Sequence, residues 1–349
     1  MRKLGSTGLY ARKFLDYFPG VIDIPYRPNS ADWPLLTRGW VSFHIYDWLY
    51  IKLMPFLAQV CQERRLSPRV IHFAKHQLFW ECESCFLSEC GHQVWRLARH
   101  DYPSRNPVKG QHEDAGTRWR HLIETYSRLQ FTKVGDRLPA LAGIVAREMR
   151  ERMGDTYIAG MWKSTLLDDL AFYSKQPTPA NPGVPTWSWA SCRDGVDFLC
   201  PDEVHTAELV HLDFEYDGAV QLGASLAASI RLKGPTLYSN AATLTHKSSS
   251  VPLVDDGVCT LVGLDDCGLR AMLGTESQLL LMVLSTSLSP RKHAKVVRGV
   301  AIILHEISTG KLVKVGAERL KFSKLGVTDN EELMEAFLSL FTEREVDIF

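Results

Sequence analysis

A proline-rich segment near the middle of the chain sets the strongest limit on how this sequence can fold. Residues 176–186 contain several prolines and one glycine: Pro177, Pro179, Pro182, Gly183 and Pro185. Proline fixes φ and lacks a backbone N–H, so neither a helix nor a central strand continues through such a segment. The pattern predicts a linker between two regions with different secondary structure.

Before the linker, apolar residues recur at helical spacing. The clearest stripe has intervals of three and four residues: Trp119, Leu122, Ile123, Tyr126 and Leu129. Asp114 stands upstream as a cap, and further helices are predicted to begin at Asp136 and Thr156. Residues 36–175 are therefore predicted to be mainly helical, whereas residues 1–35 carry no such pattern and are expected to be irregular.

After the linker, residues 187–349 change to the pattern of β-strands. Residues 279–284 form a short apolar run typical of a strand that is buried on both faces. Residues 299–306 and 312–320 predict a β-hairpin, and an amphipathic helix is predicted to begin near Thr328 or Asp329. Together these patterns predict an α+β fold, in which a helical N-terminal half is followed by an antiparallel β-rich C-terminal half with a terminal helix.

The charge balance excludes whole classes of partner. Lys plus Arg and Asp plus Glu are each 40, so the formal net charge is zero. A neutral chain offers no overall attraction to nucleic acid or to an anionic membrane. No apolar run reaches the roughly 20 residues that span a bilayer, and the N-terminus lacks the apolar core of a secretory signal. The cysteines are expected to be reduced thiols, so the chain is predicted to be cytoplasmic, with no nucleic-acid or membrane partner.

One cluster has the composition of a metal site. Its members lie close together in the sequence: His72, His76, Cys82, Cys85, Cys90 and His92. The Cys-x2-Cys spacing lets two thiolates bind one Zn²⁺. A structural zinc site, however, has its second ligand pair about 12–20 residues away, and the apolar surroundings favour buried cysteines that act as small hydrophobes. The cluster leaves open a zinc-binding module or a metal-dependent enzyme as the alternative to a structural role.

Catalytic motifs are absent from the sequence. It contains no Gly-x-Ser-x-Gly elbow, no His-Glu-x-x-His helix and no glycine-rich phosphate loop. Asp168 and Asp169 could bind a hard cation, but adjacent carboxylates within a helix are more typical of a solvated face. We therefore predict a chain that is not an enzyme and has no catalytic, cofactor-binding or metal-binding residues.

The most unusual phrase is Trp187-Ser188-Trp189-Ala190-Ser191. In extended backbone it puts two indoles on one face and small residues on the other. Such indoles either pack inside the protein, with each N–H on a partner, or form a stacking platform for a ligand or a base. A platform normally has basic neighbours and only Arg193 is close, so core packing is the favoured interpretation.

Short phrases in a fixed order resemble a known family. They are Arg38-Gly39-Trp40, Gln62-Glu63-Arg64, Leu66-Ser67-Pro68-Arg69, Leu78-Phe79-Trp80-Glu81-Cys82, Asp136-Arg137-Leu138-Pro139-Ala140-Leu141, Tyr157-x-Ala159-Gly160-x-Trp162 and Trp187-Ser188-Trp189-Ala190-Ser191. Their order and spacing are similar to the region downstream of the HET domain in fungal heterokaryon-incompatibility proteins. The resemblance covers most of the chain from Leu36 onward.

The resemblance implies a role in allorecognition. In that family the downstream region accompanies an N-terminal HET core, whose Ser-Tyr-x-Trp-Gly phrase does not occur in this sequence. It therefore implies a fragment without the HET core that has a non-enzymatic regulatory or interaction role and no cofactor. Its binding partner would be another protein or the absent core. We also expect a truncated gene model, with the core encoded upstream.

The resemblance also exposes an inserted segment. The family's Arg-Gly-Trp and Gln-Glu phrases are close together, whereas here residues 41–59 separate Trp40 from Val60. Removing them restores a continuous family phrase, and the first and last codons of the segment can encode splice sites. We interpret residues 41–59 as an inserted segment or a retained intron, and a genuine loop or helix insertion is the alternative.

Overall fold

The fold is seen in a computed structural model, which describes residues 58–73, 78–82, 86–88, 114–129, 131, 133–174, 183–192, 194–199, 204–216, 218–219, 225–240, 250–253, 257–261, 278–289, 296–324 and 329–349. The chain forms two compact units, Met1–Glu113 and Asp114–Phe349. Three predicted regions lie wholly or mostly outside the described residues: the irregular segment 1–35, the inserted segment up to residue 57, and the linker up to residue 182.

In the described part of the first unit, one helix leads into a small antiparallel sheet. Helix α1 spans Ala58–Leu66, and the strands that follow are β1 (Arg69–Phe73), β2 (Leu78–Cys82) and β3 (Phe86–Ser88), in the order β1-β2-β3. The helix ends where the Ser67 N–H and hydroxyl both donate to the Glu63 carbonyl, at 3.0 and 2.7 Å. Pro68 adds to this stop because it disfavours helical backbone at the residue before it.

The second unit begins with a layer of short helices and hairpins, called here the helical layer. Its elements are α2 (Ala115–Ser127), α3 (Ala142–Glu151), β4 (Tyr157–Ile158), β5 (Met161–Trp162), α4 (Leu166–Asp169), β6 (Phe172–Ser174) and β7 (Val196–Phe198). Helix α2 confirms the predicted cap, since the Asp114 side chain accepts from the Thr117 N–H. Its predicted apolar face is buried at Trp119, Leu122, Ile123 and Tyr126.

The predicted helical N-terminal half is wrong. Strands β1 to β3 lie within residues 69–88, and the helix expected to start at Thr156 is replaced by the β4–β5 hairpin and the short helix α4. The hairpin turn explains the difference, because Ala159 and Gly160 have φ of 46° and 95°. Two consecutive residues with positive φ reverse the chain as a type I′ turn does. Apolar spacing does not detect this turn, and strands make up more of the described residues than helices do.

The rest of the second unit is a nine-stranded sheet. Its strands are β8 (Val204–His205), β9 (Glu208–Tyr216), β10 (Ser225–Asn240), β11 (Ser250–Leu253), β12 (Gly257–Leu261), β13 (Gln278–Ser289), β14 (Val296–Ser308), β15 (Lys311–Lys324) and β16 (Thr342–Ile348). Helix α5 (Asn330–Leu338) precedes β16, so the helix predicted to be terminal is followed by one more strand. Strand β16 pairs with both β10 and β15 and thereby closes β10, β13, β14, β15 and β16 into a small barrel.

Partner changes along β10 help to shape the barrel. Its residues 225–233 pair with β9, and residues 236–240 pair with β13 on the same edge. Pro235 lies between these two partners on that edge, so its missing N–H interrupts neither the β9 nor the β13 ladder. On the other edge Pro235 is opposite Glu343 of β16. The ring closes at Leu312 and Ile348, which pair in parallel.

The sheet is buried on both faces around β13, as the apolar run at residues 279–284 predicts. On one face Leu279, Leu281 and Val283 share a core with Leu333 and Phe337 of α5. Helix α5 begins where expected, because the Asp329 side chain accepts from the N–H groups of Glu331 and Glu332. No helix within the described part of the chain is long and apolar enough to cross a membrane.

Candidate functional site

A buried aromatic hub lies within the helical layer. It consists of six rings, each at most 2% exposed: Trp119, Tyr126, Tyr157, Trp162, Trp187 and Trp189. Helix α2, the β4–β5 hairpin and the segment after the linker each supply two of the rings. Trp119 and Trp162 meet edge to face with centroids 5.6 Å apart, and Tyr126 and Trp189 do so at 6.0 Å. Such pairs add about 0.5–1.5 kcal/mol each beyond burial.

The carbonyl oxygen of Gly160 is the polar centre of the hub. It accepts the indole N–H of Trp119 at 3.0 Å and that of Trp189 at 2.8 Å. Gly160 has φ of 95°, and a Cβ there would lie 2.6 Å from Trp189 Nε1. Two independent constraints therefore require glycine, namely the backbone conformation and the close approach of the indole.

The Trp187–Ser191 phrase is held inside the protein by its serines. Ser188 donates its hydroxyl to the Ala159 carbonyl at 2.5 Å and accepts from the Ala190 N–H at 3.1 Å. Ser191 donates its hydroxyl to the Ser188 carbonyl at 2.7 Å. Both indoles of the phrase are fully buried. Burial confirms core packing, because fully buried rings cannot act as a stacking platform. The expected N–H partner is present for Trp189, whereas the Trp187 N–H has no hydrogen-bond partner among the described residues.

A charged cluster lies beside the hub and comprises Arg120, Asp168, Asp169 and His205. Asp169 is fully buried; its Oδ1 accepts from Arg120 at 3.2 Å and its Oδ2 from the Thr165 hydroxyl at 2.9 Å. Burial raises the pKa of Asp169 to about 6, although Arg120, Thr165 and the Trp162 N–H favour the charged form. The expectation of a solvated carboxylate pair is wrong for Asp169, because its partners come from α2 and from the turn before α4.

His205 joins the charged cluster to the sheet. Its Nε2 lies 2.7 Å from Asp168 Oδ1, and Asp168 Oδ2 is also 3.6 Å from Arg120. The His205 side chain is 48% exposed, and its strand β8 pairs with β13. A carboxylate that orients an imidazole can support proton transfer or metal binding. Among the residues that the structure describes, however, no group of three or more His, Cys, Asp or Glu side chains is arranged to hold a metal ion.

Lys314 is a buried base at the junction of the barrel and the helical layer. Its Nζ donates to the Phe172 carbonyl at 2.7 Å and lies 3.3 Å from the centroid of the Phe172 ring. Burial lowers the pKa of Lys314 to about 7, with Cys192 acting in the opposite direction. Because Lys314 lies on β15 and Phe172 on β6, the ammonium group connects the two layers.

The sequence does not reveal that Lys314 and Arg137 are buried. The strand alternation near Lys314 is interrupted, because β15 shifts register against β14 between Ile303 and Leu304. Arg137 is 1% exposed, and its guanidinium donates to the Ser127 carbonyl at 2.9 Å. No local sequence pattern distinguishes either residue from an exposed Lys or Arg. The carbonyl groups that accept their hydrogen bonds lie in other segments of the chain.

The predicted metal cluster falls largely outside the described residues. Only His72 and Cys82 lie in described strands; the others do not: His76, Cys85, Cys90 and His92. In the β1–β2 ladder His72 is opposite Phe79, and Cys82 is opposite Arg69. Three register positions therefore separate His72 from Cys82, roughly 10 Å along the strands. The hairpin does not bring these two residues together.

Comparison with protein-family models, with curated proteins and with solved structures finds no match to this chain. The polar groups of the hub, the charged cluster and Lys314 each connect separate elements of the fold. These polar contacts hold the helical layer together and attach it to the barrel, which is a structural role.

Proposed function

We propose that this chain is the regulatory or interaction region of a heterokaryon-incompatibility-type allorecognition protein and that it has no enzymatic activity. In such a protein the region would act beside a HET core and control it. The proposal combines the ordered phrases of the sequence with the contacts that their residues make.

The observation that carries the proposal is the convergence of separate phrases on the aromatic hub. Arg137, from the Asp136–Leu141 phrase, accepts at its carbonyl from the hydroxyl of the hub residue Tyr126 at 2.7 Å. Trp189 donates to Gly160 at 2.8 Å, and Ser188 of the same phrase donates to Ala159. Phrases that depend on one another for packing form a single folding unit. Their common order in the sequence and their common location support a relationship to the family better than isolated surface residues would.

The buried charges support a non-enzymatic role. Arg120 and Asp169 pair with each other, and Lys314 donates to a backbone carbonyl. The Arg137 guanidinium lies 5.6 Å from the centroid of the Trp189 ring. Each of these groups connects two elements of the fold, so we assign it to folding and not to chemistry on a substrate.

Co-expression with a HET core tests the proposal. The full chain would be produced in a filamentous fungus together with a HET core on a separate polypeptide, and both co-purification and colony viability would be measured. We expect the chain to co-purify with the core and to change core-induced cell death severalfold. A folded chain that neither binds the core nor changes viability would contradict the proposal.

Two glycine variants control for folding in that experiment. Gly160→Ala places a Cβ 2.6 Å from the Trp189 indole nitrogen, so it should weaken both effects. Gly154→Ala is the matched control, because Gly154 also has a positive φ, of 87°, but has open space around it. It should retain both effects.

Elemental analysis separates the proposal from the zinc alternative. A zinc module or metal-dependent enzyme at the His72–His92 cluster predicts one zinc per purified chain, reduced by Cys82→Ser or Cys85→Ser. The proposed function predicts zinc far below one equivalent. Stoichiometric zinc that both serine variants remove would favour the alternative.

A further inference from the structure

Strand β9 is an edge strand within the described part of the chain. Residues Glu208–Tyr216 pair with β10, and no second described strand pairs with them. The outer side of an edge strand, which is the side away from its paired neighbour in the plane of the sheet, presents N–H and C=O groups that can bond a further strand. At nine residues, β9 is long enough to pair with an added strand of ordinary length.

The outward face of β9, which is the face of the sheet with the exposed side chains, carries negative charge that the opposite residues of β10 do not compensate. Asp213 and Glu215 occupy alternate positions on this face and are exposed. Opposite them on β10 are Ser229 and Ala227, which carry no charge. The chain as a whole is neutral, so this excess is a local feature of the strand.

The cations nearest to this face are already engaged elsewhere. Arg231 binds Asp347 of β16 through two hydrogen bonds of 2.8 and 3.0 Å. Lys233 lies 3.3 Å from Glu343 of β16 and 3.7 Å from Glu208 at the start of β9. Both basic side chains therefore engage β16 and the first residue of β9. Arg231 is opposite His211, one same-face position along the ladder from Asp213, and Lys233 is opposite Glu208.

The inward face of β9 is apolar and only partly covered. Leu212 and Phe214 are half-buried, whereas Ile230, which lies opposite Leu212 on β10, is fully buried. The Phe214 ring lies 6.5 Å from that of Trp187, so the row continues toward the aromatic hub. A strand added to the outer side of β9 would cover the remaining apolar surface of this row.

We infer that β9 binds an extended peptide in which basic and apolar residues alternate. The peptide backbone would bond to the outer side of β9. Its basic side chains would lie beside Asp213 and Glu215, and its apolar side chains would extend the row of Leu212 and Phe214. Alternation follows because successive side chains of a strand point to opposite faces. This inference is independent of the allorecognition proposal, since peptide binding needs no HET core.

Fluorescence anisotropy with the full chain tests the inference. The probe is a labelled octapeptide of alternating Lys and Val. One control peptide has the same composition with Lys and Val in separate blocks, and a second alternates Glu and Val. We expect the alternating Lys/Val peptide to bind and both controls to bind at least about tenfold more weakly, because cross-strand charge pairs and apolar pairs form only in alternation.

Charge-reversal variants test the location of binding. The double variant Asp213→Lys with Glu215→Lys should weaken binding of the Lys/Val peptide at least about tenfold, because two attractive cross-strand pairs become repulsive. The matched control is Glu151→Lys with Glu335→Lys, which makes the same change in net charge at exposed positions of α3 and α5. It should bind as the unmodified chain does.

Hydrogen exchange distinguishes strand addition from loose electrostatic attraction. Amides of residues 208–216 should gain protection when the Lys/Val peptide is bound, because the outer N–H groups of β9 become hydrogen-bonded. The inference is overturned by absence of binding, by equal binding of the block peptide, by unchanged affinity in the β9 double variant, or by binding that leaves the β9 amides unprotected.

Discussion

Trp119 and Trp189 donate their indole N–H groups to one and the same acceptor, the carbonyl oxygen of Gly160, at 3.0 and 2.8 Å. Trp119 lies 41 residues before Gly160, and Trp189 lies 29 residues after it. A carbonyl oxygen has two lone pairs, so it can satisfy both buried donors at once. This single atom thereby links α2, the β4–β5 hairpin and the segment after the linker.

Gly160→Ala is expected to destabilise the protein by about 3 kcal/mol, through overlap of the new Cβ with the indole and through strain. The Cβ would lie 2.6 Å from Trp189 Nε1, in backbone with φ of 95°. Gly154→Ala is the matched control, because Gly154 has φ of 87° and nothing within 4 Å of a Cβ. It should lose only about 1–2 kcal/mol, from the backbone alone. Urea unfolding measures both values, and equal losses would contradict the packing argument.

Asp169 is expected to make the folded state less stable as the pH rises from about 4 to about 6. Its pKa is about 6 in the folded protein, against an ordinary value of 3.8. The folded state therefore holds a proton in this range that the unfolded state has already lost, and removing it costs up to about 3 kcal/mol. Above about pH 6 both states are ionised, and the effect levels off.

The variant Asp169→Asn removes this titration. Unfolding free energies measured across the range should show the unmodified chain losing stability relative to the variant as the pH rises. Asp213→Asn, at an exposed position of β9, controls for the loss of one carboxylate elsewhere. If the difference in unfolding free energy between the unmodified chain and Asp169→Asn does not vary with pH, the expected raised pKa of Asp169 is contradicted.

Lys314 is expected to make the folded state more stable as the pH rises above about 7, which is the opposite of the effect of Asp169. Its pKa is about 7 in the folded protein and ordinarily 10.5, so between these values the unfolded state binds the additional proton. Stability should therefore rise with pH across this range, by up to about 5 kcal/mol from this group. Lys314→Met removes the titration, so the unmodified chain should gain stability relative to the variant.

The control for Lys314 lies on the same strand. Lys311 is exposed, and Lys311→Met should leave the pH dependence of unfolding close to that of the unmodified chain. Denaturant unfolding at several pH values from about 7 upward measures all three proteins. Parallel curves for the unmodified chain and Lys314→Met would refute the expected burial penalty.

The inserted segment can be tested in the transcript. If residues 41–59 are a retained intron, sequencing of mature transcripts should detect a spliced form in which the codon of Trp40 directly precedes that of Val60. Helix α1 (Ala58–Leu66) would then keep its residues from Val60 onward. Transcripts that cross the segment without any spliced product would establish a genuine insertion.

The two helix starts that have a capping side chain were predictable because their causes are local. Asp114 and Asp329 each cap a helix with a side chain that reaches only two or three residues ahead, and such a contact is visible in the sequence. The helix predicted to begin at Asp136 instead begins at Ala142, after two short 3-10 turns. The helix expected from Thr156 failed because its apolar spacing also fits the β4–β5 hairpin and a single turn of helix. The positive φ of Ala159 and Gly160 selects the hairpin, and the packing of two indoles on Gly160 stabilises it.

The sequence by itself determined the local features of this protein, namely its helix caps, the apolar alternation of its strands and the position of the β14–β15 hairpin. The tertiary structure alone decided that Asp169 and Lys314 are buried and that β16 closes a barrel. The physical reason is that burial of a charge and closure of a sheet depend on contacts between segments far apart in the chain, and a local sequence pattern contains no information about those contacts.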